Sequence, residues 1–234
     1  MNGIWILLLL VLSAVFPAVI VFFWFRVRKS PVNLPWFLAS LAAGIISLFA
    51  AAAIQSSFFL PGSEWRGGLG PVFFGIFVRI ALVEEASRFL TLVPLLKVLH
   101  RRLGRRFCAD SALGAAIGLC AGLGFAALEN ASYGITDINI TLLRAFSAAP
   151  LHGACGIRAG AAAAIARQHP VKALGLFIFA VLIHGAYNLF IVSPAFPSAL
   201  AIPTAFIALF ASLPLIKSAG IEDLARSTRR EEGE

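Results

Sequence analysis

The amino-acid sequence predicts an all-α membrane protein, a polytopic bundle of about seven transmembrane helices. Of its 234 residues, 60% are hydrophobic and only 13% are charged, and the mean hydropathy is +0.91. Soluble domains contain about 45–50% apolar and about 25% charged residues, so the apolar surplus of this chain has to face lipid. The 21 phenylalanines also exclude a disordered chain.

Seven apolar stretches have the length of about 17–25 residues that a helix needs to cross a bilayer. They lie at about 4–25, 35–59, 72–96, 111–130, 140–166, 171–192 and 197–216. The fourth and fifth stretches are rich in glycine and alanine, which permits close approach of helices. We therefore expect these two spans in the interior of the bundle.

The basic residues collect in every second connection between the spans. The connections after the first, third, fifth and seventh spans contain 14 of the 19 lysines and arginines, and the other connections contain only Arg66. Because positive charge stays on the cytoplasmic side, we expect the N-terminus outside and the C-terminus inside. This placement accounts for the net charge of +8 without a nucleic-acid partner.

Ionisable residues occur inside the spans, where each costs about 2.5–3.5 kcal/mol. Glu84 and Glu85 lie near the middle of the third span, and Arg88 follows one helical turn later. One arginine neutralises one carboxylate, so the second acid needs another cation, a metal or a proton. Such a carboxylate is suited to act as a general base. A buried ion pair that fixes helix packing is the alternative.

Five further polar residues lie at middle to outer depth in the next three spans: Glu129, Asn130, His152, His184 and Asn188. Each residue alone has a structural explanation, such as a hydrogen-bonded packing histidine. Together they share a depth at which facing lipid would be costly, so we expect them to converge inside the bundle. Imidazole and carboxylate groups suit zinc, and they equally suit a metal-free scheme in which a Glu–His pair activates water. The cysteines Cys108, Cys120 and Cys155 have no metal-binding spacing and are expected to be packing residues.

Four sequence blocks follow one another along the third to sixth spans. They are Glu84-Glu85-x-x-Arg88, Gly-Leu-Gly-Phe125-x-x-x-Glu129-Asn130-x-x-Tyr133, Pro150-x-His152-Gly and His184-Gly-x-Tyr187-Asn188. As a set they closely resemble the PrsW family of intramembrane proteases, which is related to the CAAX prenyl protease and Abi proteins. The resemblance implies a polytopic peptidase that hydrolyses a peptide bond at or in the membrane.

The resemblance also implies roles for particular residues. Catalytic or ligand roles fall to Glu84, Glu85, Glu129, His152 and His184, with Arg88, Asn130 and Asn188 in support. We expect Glu84 or Glu85 to be the base, while Glu129, His152 and His184 hold a metal or polarise the scissile carbonyl. Family members often have lysine where this chain has Arg88. Because arginine keeps its proton, Arg88 retains charge pairing but not a proton-shuttle role.

We therefore predict an intramembrane endopeptidase of the cell (inner) membrane that acts on a membrane-anchored protein or peptide. Its mechanism is open between a metal-dependent type, with zinc as the candidate metal, and a glutamic type. One transmembrane domain is expected over residues 1–217, with a catalytic core at about 72–192 and a polar cytoplasmic tail at 218–234.

A proton-coupled transporter or channel is the alternative function, because chains of Glu and His residues also build proton relays. In that case Arg79, Arg144 and Arg158, which also lie within predicted spans, could contribute to an anion path. The absence of a clear internal sequence repeat weakens this alternative. A membrane scaffold without a reaction is the third possibility, and the clustering of costly polar groups disfavours it.

Overall fold

The fold is described from a computed structural model that covers residues 3–28, 30, 32–58, 69–103, 111–133, 138–193 and 195–216. Within these ranges the chain is almost entirely helical and forms no strand, which confirms the all-α prediction. The whole predicted cytoplasmic tail, residues 218–234, and Cys108 lie outside the described residues.

The described residues form eight α-helices, one π-helical segment and one short 3₁₀ turn. In chain order these are α1 (Gly3–Val27), α2 (Leu34–Phe58), α3 (Leu69–Phe73), the π-helical segment (Phe74–Leu82), α4 (Val83–Leu103), α5 (Ser111–Tyr133), α6 (Ile138–Ile165), α7 (Pro170–Val192), the 3₁₀ turn (Ser198–Leu200) and α8 (Ala201–Ser212). Helix α4 continues past the predicted end of the third span near residue 96. Its last turn holds His100, Arg101 and Arg102, and cations at a helix C-terminus are favoured by the helix dipole.

Four helical stretches are long and apolar enough to cross a membrane: Leu34–Phe58, Ser111–Ser132, Pro170–Val192 and Ser198–Ile216. They coincide with the second, fourth, sixth and seventh predicted spans. Helices α1, α4 and α6 lie at the positions of the other three. Helices α4 and α6 carry several ionisable side chains, which lower their hydropathy. The count of seven spans and the orientation of the termini stay predictions.

Helix α5 is the central helix of the bundle. Its apolar stretch is 83% buried, against 22–33% for the other three membrane-spanning stretches. It packs against α1, α2 and α6, and α6 packs in turn against α4, α7 and α8. The pair of α5 and α6 is thus the core against which the other helices dock, as expected from the glycine and alanine content of both.

A glycine seam joins α5 to α6. It consists of Gly114 opposite Gly160, Gly118 opposite Gly156, and Gly122 opposite the backbone of His152. A Cβ atom on Gly118 would lie 2.8 Å from the carbonyl carbon of Gly156 and 2.9 Å from the Cα atom of Gly160, which is closer than real side chains approach. The two backbones therefore touch, as small residues allow in membrane helices. Residue numbers rise from 114 to 122 along α5, whereas those of the contacted residues fall from 160 to 152 along α6. The two helices are therefore antiparallel.

Candidate functional site

The two adjacent acids begin α4, directly after the π-helical segment. π-Helical segments are rare in proteins, and those that occur are often found at functional sites. On α7, Gly185 lies against the ring of Phe77 so closely that a Cβ atom there would be 2.9 Å from the ring's Cγ atom. This contact holds α7 against the π-helical segment and brings His184 to the two acids.

His184 contacts both acids. Its Nδ1 atom lies 2.8 Å from Oε1 of Glu85, and its Nε2 atom lies 3.5 Å from Oε2 of Glu84. A carboxylate only accepts hydrogen bonds, so Nδ1 carries the proton that it donates to Glu85. In the neutral ring, Nε2 then presents its lone pair on the side of Glu84. The His184 side chain is buried.

Arg88 joins this half of the site to His152. It donates through Nη1 to Oε1 of Glu85, and its Nη2 atom lies 3.2 Å from Nδ1 of His152. Arginine only donates, so Nδ1 of His152 accepts and Nε2 carries the proton. That Nε2 atom donates to Oε2 of Glu129 over 2.6 Å. Both nitrogens of His152 are therefore used within the protein.

The guanidinium of Arg88 is fully buried and also lies over an aromatic ring. Its Cζ atom is 4.4 Å from the ring centroid of Phe125, a distance typical of a cation–π contact. The same ring lies 4.8 Å from the ring of His152. Arg88 thus compensates the charge of Glu85 and holds His152 by a hydrogen bond. Glu84 has no direct arginine partner among the described residues.

Glu129 closes the far end of the network with a second arginine. The Nη2 atom of Arg144 lies 2.6 Å from Oε2 of Glu129, and Arg144 is only 3% exposed. The sequence suggested a part in an anion path for Arg144, and its pairing with Glu129 was not predicted. The position of Arg144 could have indicated this pairing. Arg144 lies near the start of α6 and Glu129 near the end of α5, and these two ends are adjacent because the helices are antiparallel. By contrast, Arg158 is only partly buried and lies 4.6 Å from the ring centroid of Phe179.

Gln55 on α2 is a site residue that the sequence analysis missed. Its Nε2 atom lies 3.4 Å from Oε1 of Glu84 and 3.2 Å from the backbone oxygen of Arg79. The available signal was an amide side chain in a membrane helix whose other polar groups are small serines.

The structure thus brings six of the eight predicted site residues into one connected network: Glu84, Glu85, Arg88, Glu129, His152 and His184. The two asparagines lie beside it. Asn188 follows His184 by one turn of α7 and is 8% exposed. Asn130 is 2% exposed, and its amide has no hydrogen-bond partner among the described residues.

Exposure differs along the network. The side chains at its two ends, Glu84 and Glu129, belong to residues that are 6% and 7% exposed, whereas Arg88, His152 and His184 have no exposed surface. The slight exposure at Glu84 recurs at Asn188, one turn from His184. The network is therefore open to its surroundings only at these margins, and its centre is fully enclosed by protein.

A family comparison adds a second line of evidence to this geometry. The family described as PrsW family intramembrane metalloprotease matches residues 32–216. The chain belongs to the PrsW family. The match includes every residue of the network and supports an intramembrane protease, so the transporter alternative is not favoured. Comparison with curated proteins and with solved structures gives no match.

Because the PrsW family is described as a family of metalloproteases, we ask which residues of the site could be metal ligands. Within the network, three buried atoms of ligand type have no hydrogen-bond partner among the described residues: Oε2 of Glu84, Oε2 of Glu85 and Nε2 of His184. Carboxylate oxygens and an imidazole nitrogen that lack donors are suited to bind a cation. The donor set around Glu84 and His184 therefore fits a metal such as zinc.

Other candidate ligands of a PrsW metal fit less well. His152 and Glu129, expected as ligands from the sequence, have their polar atoms in hydrogen bonds and ion pairs. Within the described residues, Glu85, Cys155 and His184 offer one ligand atom each, and these atoms lie within 4.8 Å of one another. However, Glu85 is paired with Arg88, and the thiol of Cys155 donates to the backbone oxygen of Ala180 over 3.6 Å.

Proposed function

We propose that this PrsW-family chain hydrolyses a peptide bond of a membrane-anchored protein or peptide with a water molecule that lies beside Glu84 and His184 and is hydrogen-bonded to both. The observation that carries the proposal is the distance of 3.5 Å between Oε2 of Glu84 and Nε2 of His184. Both atoms are buried acceptors without a hydrogen-bond partner among the described residues. A water molecule there would donate to both atoms.

We assign different roles to the two acids. Glu85 is held by Arg88 and by the Nδ1 proton of His184, so its charge is compensated and its carboxylate is fixed. Glu84 has one oxygen near the amide of Gln55 and its other oxygen directed to His184. A base needs a free oxygen within reach of water. Oε2 of each acid lacks a hydrogen-bond partner among the described residues, but Glu84 is 6% exposed and is not paired with Arg88, whereas Glu85 is fully buried and paired. Glu84 is therefore the proposed base, and Glu85 orients His184.

The proposed reaction needs one proton transfer in each direction. Glu84 takes a proton from the water molecule while the water oxygen attacks the scissile carbonyl carbon. The carbonyl oxygen then becomes negatively charged. We assign donation to this oxyanion to the side-chain amide of Asn188, which follows His184 by one turn of α7. The carbon–nitrogen bond then breaks as Glu84 returns the proton to the leaving amine. The products are a new carboxyl terminus and a new amino terminus.

The same residues would hold the metal that the family description implies. Glu84 and His184 offer its ligand atoms, and Glu85 would fix the ring of His184 from behind, as partners of metal-bound histidines commonly do. A metal bound there supplies Lewis-acid polarisation of water or of the scissile carbonyl. The hydrogen bond from His184 to Glu85 orients the ring in either case. A Glu84 that binds a metal through Oε2 has no free oxygen left to act as the base, so the metal-dependent and metal-free schemes are alternatives.

For the whole chain we infer a multi-pass protein of the cell (inner) membrane with seven spans and an outside N-terminus. Basic residues at the end of α1, at the end of α4 and between α6 and α7 support this orientation, because they fall in every second connection. Residues 1–217 form one transmembrane domain with its catalytic core at about 72–192, followed by a cytoplasmic tail. Reporter fusions after α1 and α2 test the orientation, since only the second reporter should lie outside.

Cleavage in proteoliposomes tests the proposed reaction. The probe is a set of single-span polypeptides labelled at one end, and mass spectrometry identifies the released fragments. We expect the wild type to release fragments, and Glu84→Gln and His184→Gln to release none while their thermal unfolding and helical content stay unchanged. His169→Gln is the matched control, because His169 is exposed and lies outside the network.

Undiminished fragment release by both Glu84→Gln and His184→Gln would contradict the proposed site. A flux of protons or anions through the same proteoliposomes, without fragment release, would favour the transporter alternative instead.

A further inference from the structure

Gln55 links two elements of the site from a third helix. The residue lies near the end of α2, one turn before Phe58. Its side-chain nitrogen lies 3.2 Å from the backbone oxygen of Arg79 and 3.4 Å from Oε1 of Glu84. A primary amide nitrogen carries two hydrogens, so one group can donate to both oxygens.

The two acceptors belong to different parts of the helix that carries the acids. Arg79 lies in the π-helical segment, whereas Glu84 lies in the first turn of α4. The hydrogen bonds therefore fix the carboxyl group relative to the irregular backbone that precedes it. This contact matters because a π-helical segment changes the direction in which the following side chains point.

The contact with Gln55 also distinguishes the two oxygens of Glu84. Oε1 is the oxygen near the amide, and Oε2 is the oxygen that faces Nε2 of His184. An amide donor on Oε1 limits rotation of the carboxyl group, so that Oε2 stays on the side of His184. Gln55 carries no charge, and it therefore supplies this constraint without competing with Glu84 for a proton.

We propose that Gln55 is a positioning residue for Glu84, holding the carboxylate with one oxygen directed to His184. This inference rests on the proposed function, in which Glu84 is the base. Gln55 does not touch the reacting atoms. Its removal should affect the chemical step and leave substrate binding unchanged.

The test compares variants at Gln55 and at its neighbour. Gln55→Met keeps the length of the side chain and removes its donors. We expect kcat to fall about tenfold or more, the range found for residues that orient a catalytic group, with KM within twofold of the wild type. Ser56→Ala is the matched control, because Ser56 is exposed and its hydroxyl donates only to Ala53 within α2. It should leave both parameters unchanged.

A wild-type kcat in Gln55→Met would overturn the inference. So would a loss of activity that follows a lowered unfolding temperature, since that result assigns Gln55 a purely structural role. If Glu84→Gln retains activity, the proposed function itself fails. If only Gln55→Met behaves as the wild type, the positioning role alone fails.

Discussion

The Nδ1 atom of His184 lies 2.8 Å from Oε1 of Glu85, although 99 residues separate the two along the chain. This hydrogen bond ties α7 to the start of α4 at the centre of the bundle. It also distinguishes two acids that are neighbours in the sequence. Glu85 is hydrogen-bonded to both His184 and Arg88 through Oε1, whereas Glu84 has no arginine partner among the described residues and is slightly exposed. The two acids should therefore respond differently to mutation.

Glu85→Gln should destabilise the protein. The substitution removes the charge that compensates Arg88, whose guanidinium is fully buried, and breaking one side of a buried ion pair costs about 3–5 kcal/mol. We expect a clearly lower thermal unfolding temperature in detergent. Glu84→Gln is the internal comparison and should unfold close to the wild-type temperature. Equal unfolding temperatures of the two variants would contradict this division.

Arg144→Met should weaken the bundle where α5 meets α6. Arg144 is the arginine partner of Glu129 in the structure, at 2.6 Å, and its loss leaves a buried carboxylate with only His152. We expect a free energy of unfolding lower by about 3 kcal/mol. Arg158→Met is the control, because Arg158 is less buried and contacts the ring of Phe179. That change should cost about 1 kcal/mol or less. The reverse order would show that Glu129 does not depend on Arg144.

Gly118→Leu should separate α5 from α6. A side chain at this position overlaps the backbone of Gly156, which cannot move without shifting α6 as a whole. Overpacking of this kind costs about 1–3 kcal/mol or more, so we expect a loss of thermal stability and of activity together. Gly175→Leu on α7 is the matched control, since no atom lies within 4 Å of its Cβ position. Normal stability of Gly118→Leu would rule out direct backbone contact at the seam.

Metal analysis should distinguish the candidate ligands. In the metal-dependent scheme the purified wild type should bind about one zinc ion per chain after equilibration, with an open position for water beside its protein ligands. His184→Gln should lose this metal, and Cys155→Ala should retain it, because the Cys155 thiol is directed to a backbone oxygen. Loss of metal in Cys155→Ala, with retention in His184→Gln, would instead assign the ion to the thiol. Equilibrium dialysis with elemental analysis measures both outcomes without an activity assay.

The fold could be predicted from the sequence because lipid imposes a simple rule on the chain. Every long apolar stretch became a helix, and the glycine and alanine density of the fourth and fifth spans, at 114–118 and 159–164, indicated the two helices that pack in the interior of the bundle. The π-helical segment could not be predicted, because its hydrogen-bond register depends on packing against α7 at Gly185 and on the contact with Gln55. The end of α4 was placed too early, since a basic stretch can extend a helix beyond its apolar part.

The residues that form the site could be predicted better than the pairs that they make with one another. Costly polar residues at a shared depth had to converge, and six of them form one network. The sequence did not predict that Arg88 pairs with Glu85, because both acids lie within one turn of it. The pairing of Arg144 with Glu129 depends on how two antiparallel helices are aligned, and helical spacing within one helix contains no information about that alignment.

The glycine seam also fixes the number of residues between its contact positions on α5. Adding or removing one residue between Gly114 and Gly122 would rotate the rest of α5 by about 100° and shift it by about 1.5 Å. Gly124, which lies against the backbone of Leu41 on α2, would leave its contact at the same time. Insertions and deletions in this stretch should therefore be excluded during evolution, while substitutions that keep its length remain possible away from the two contact faces.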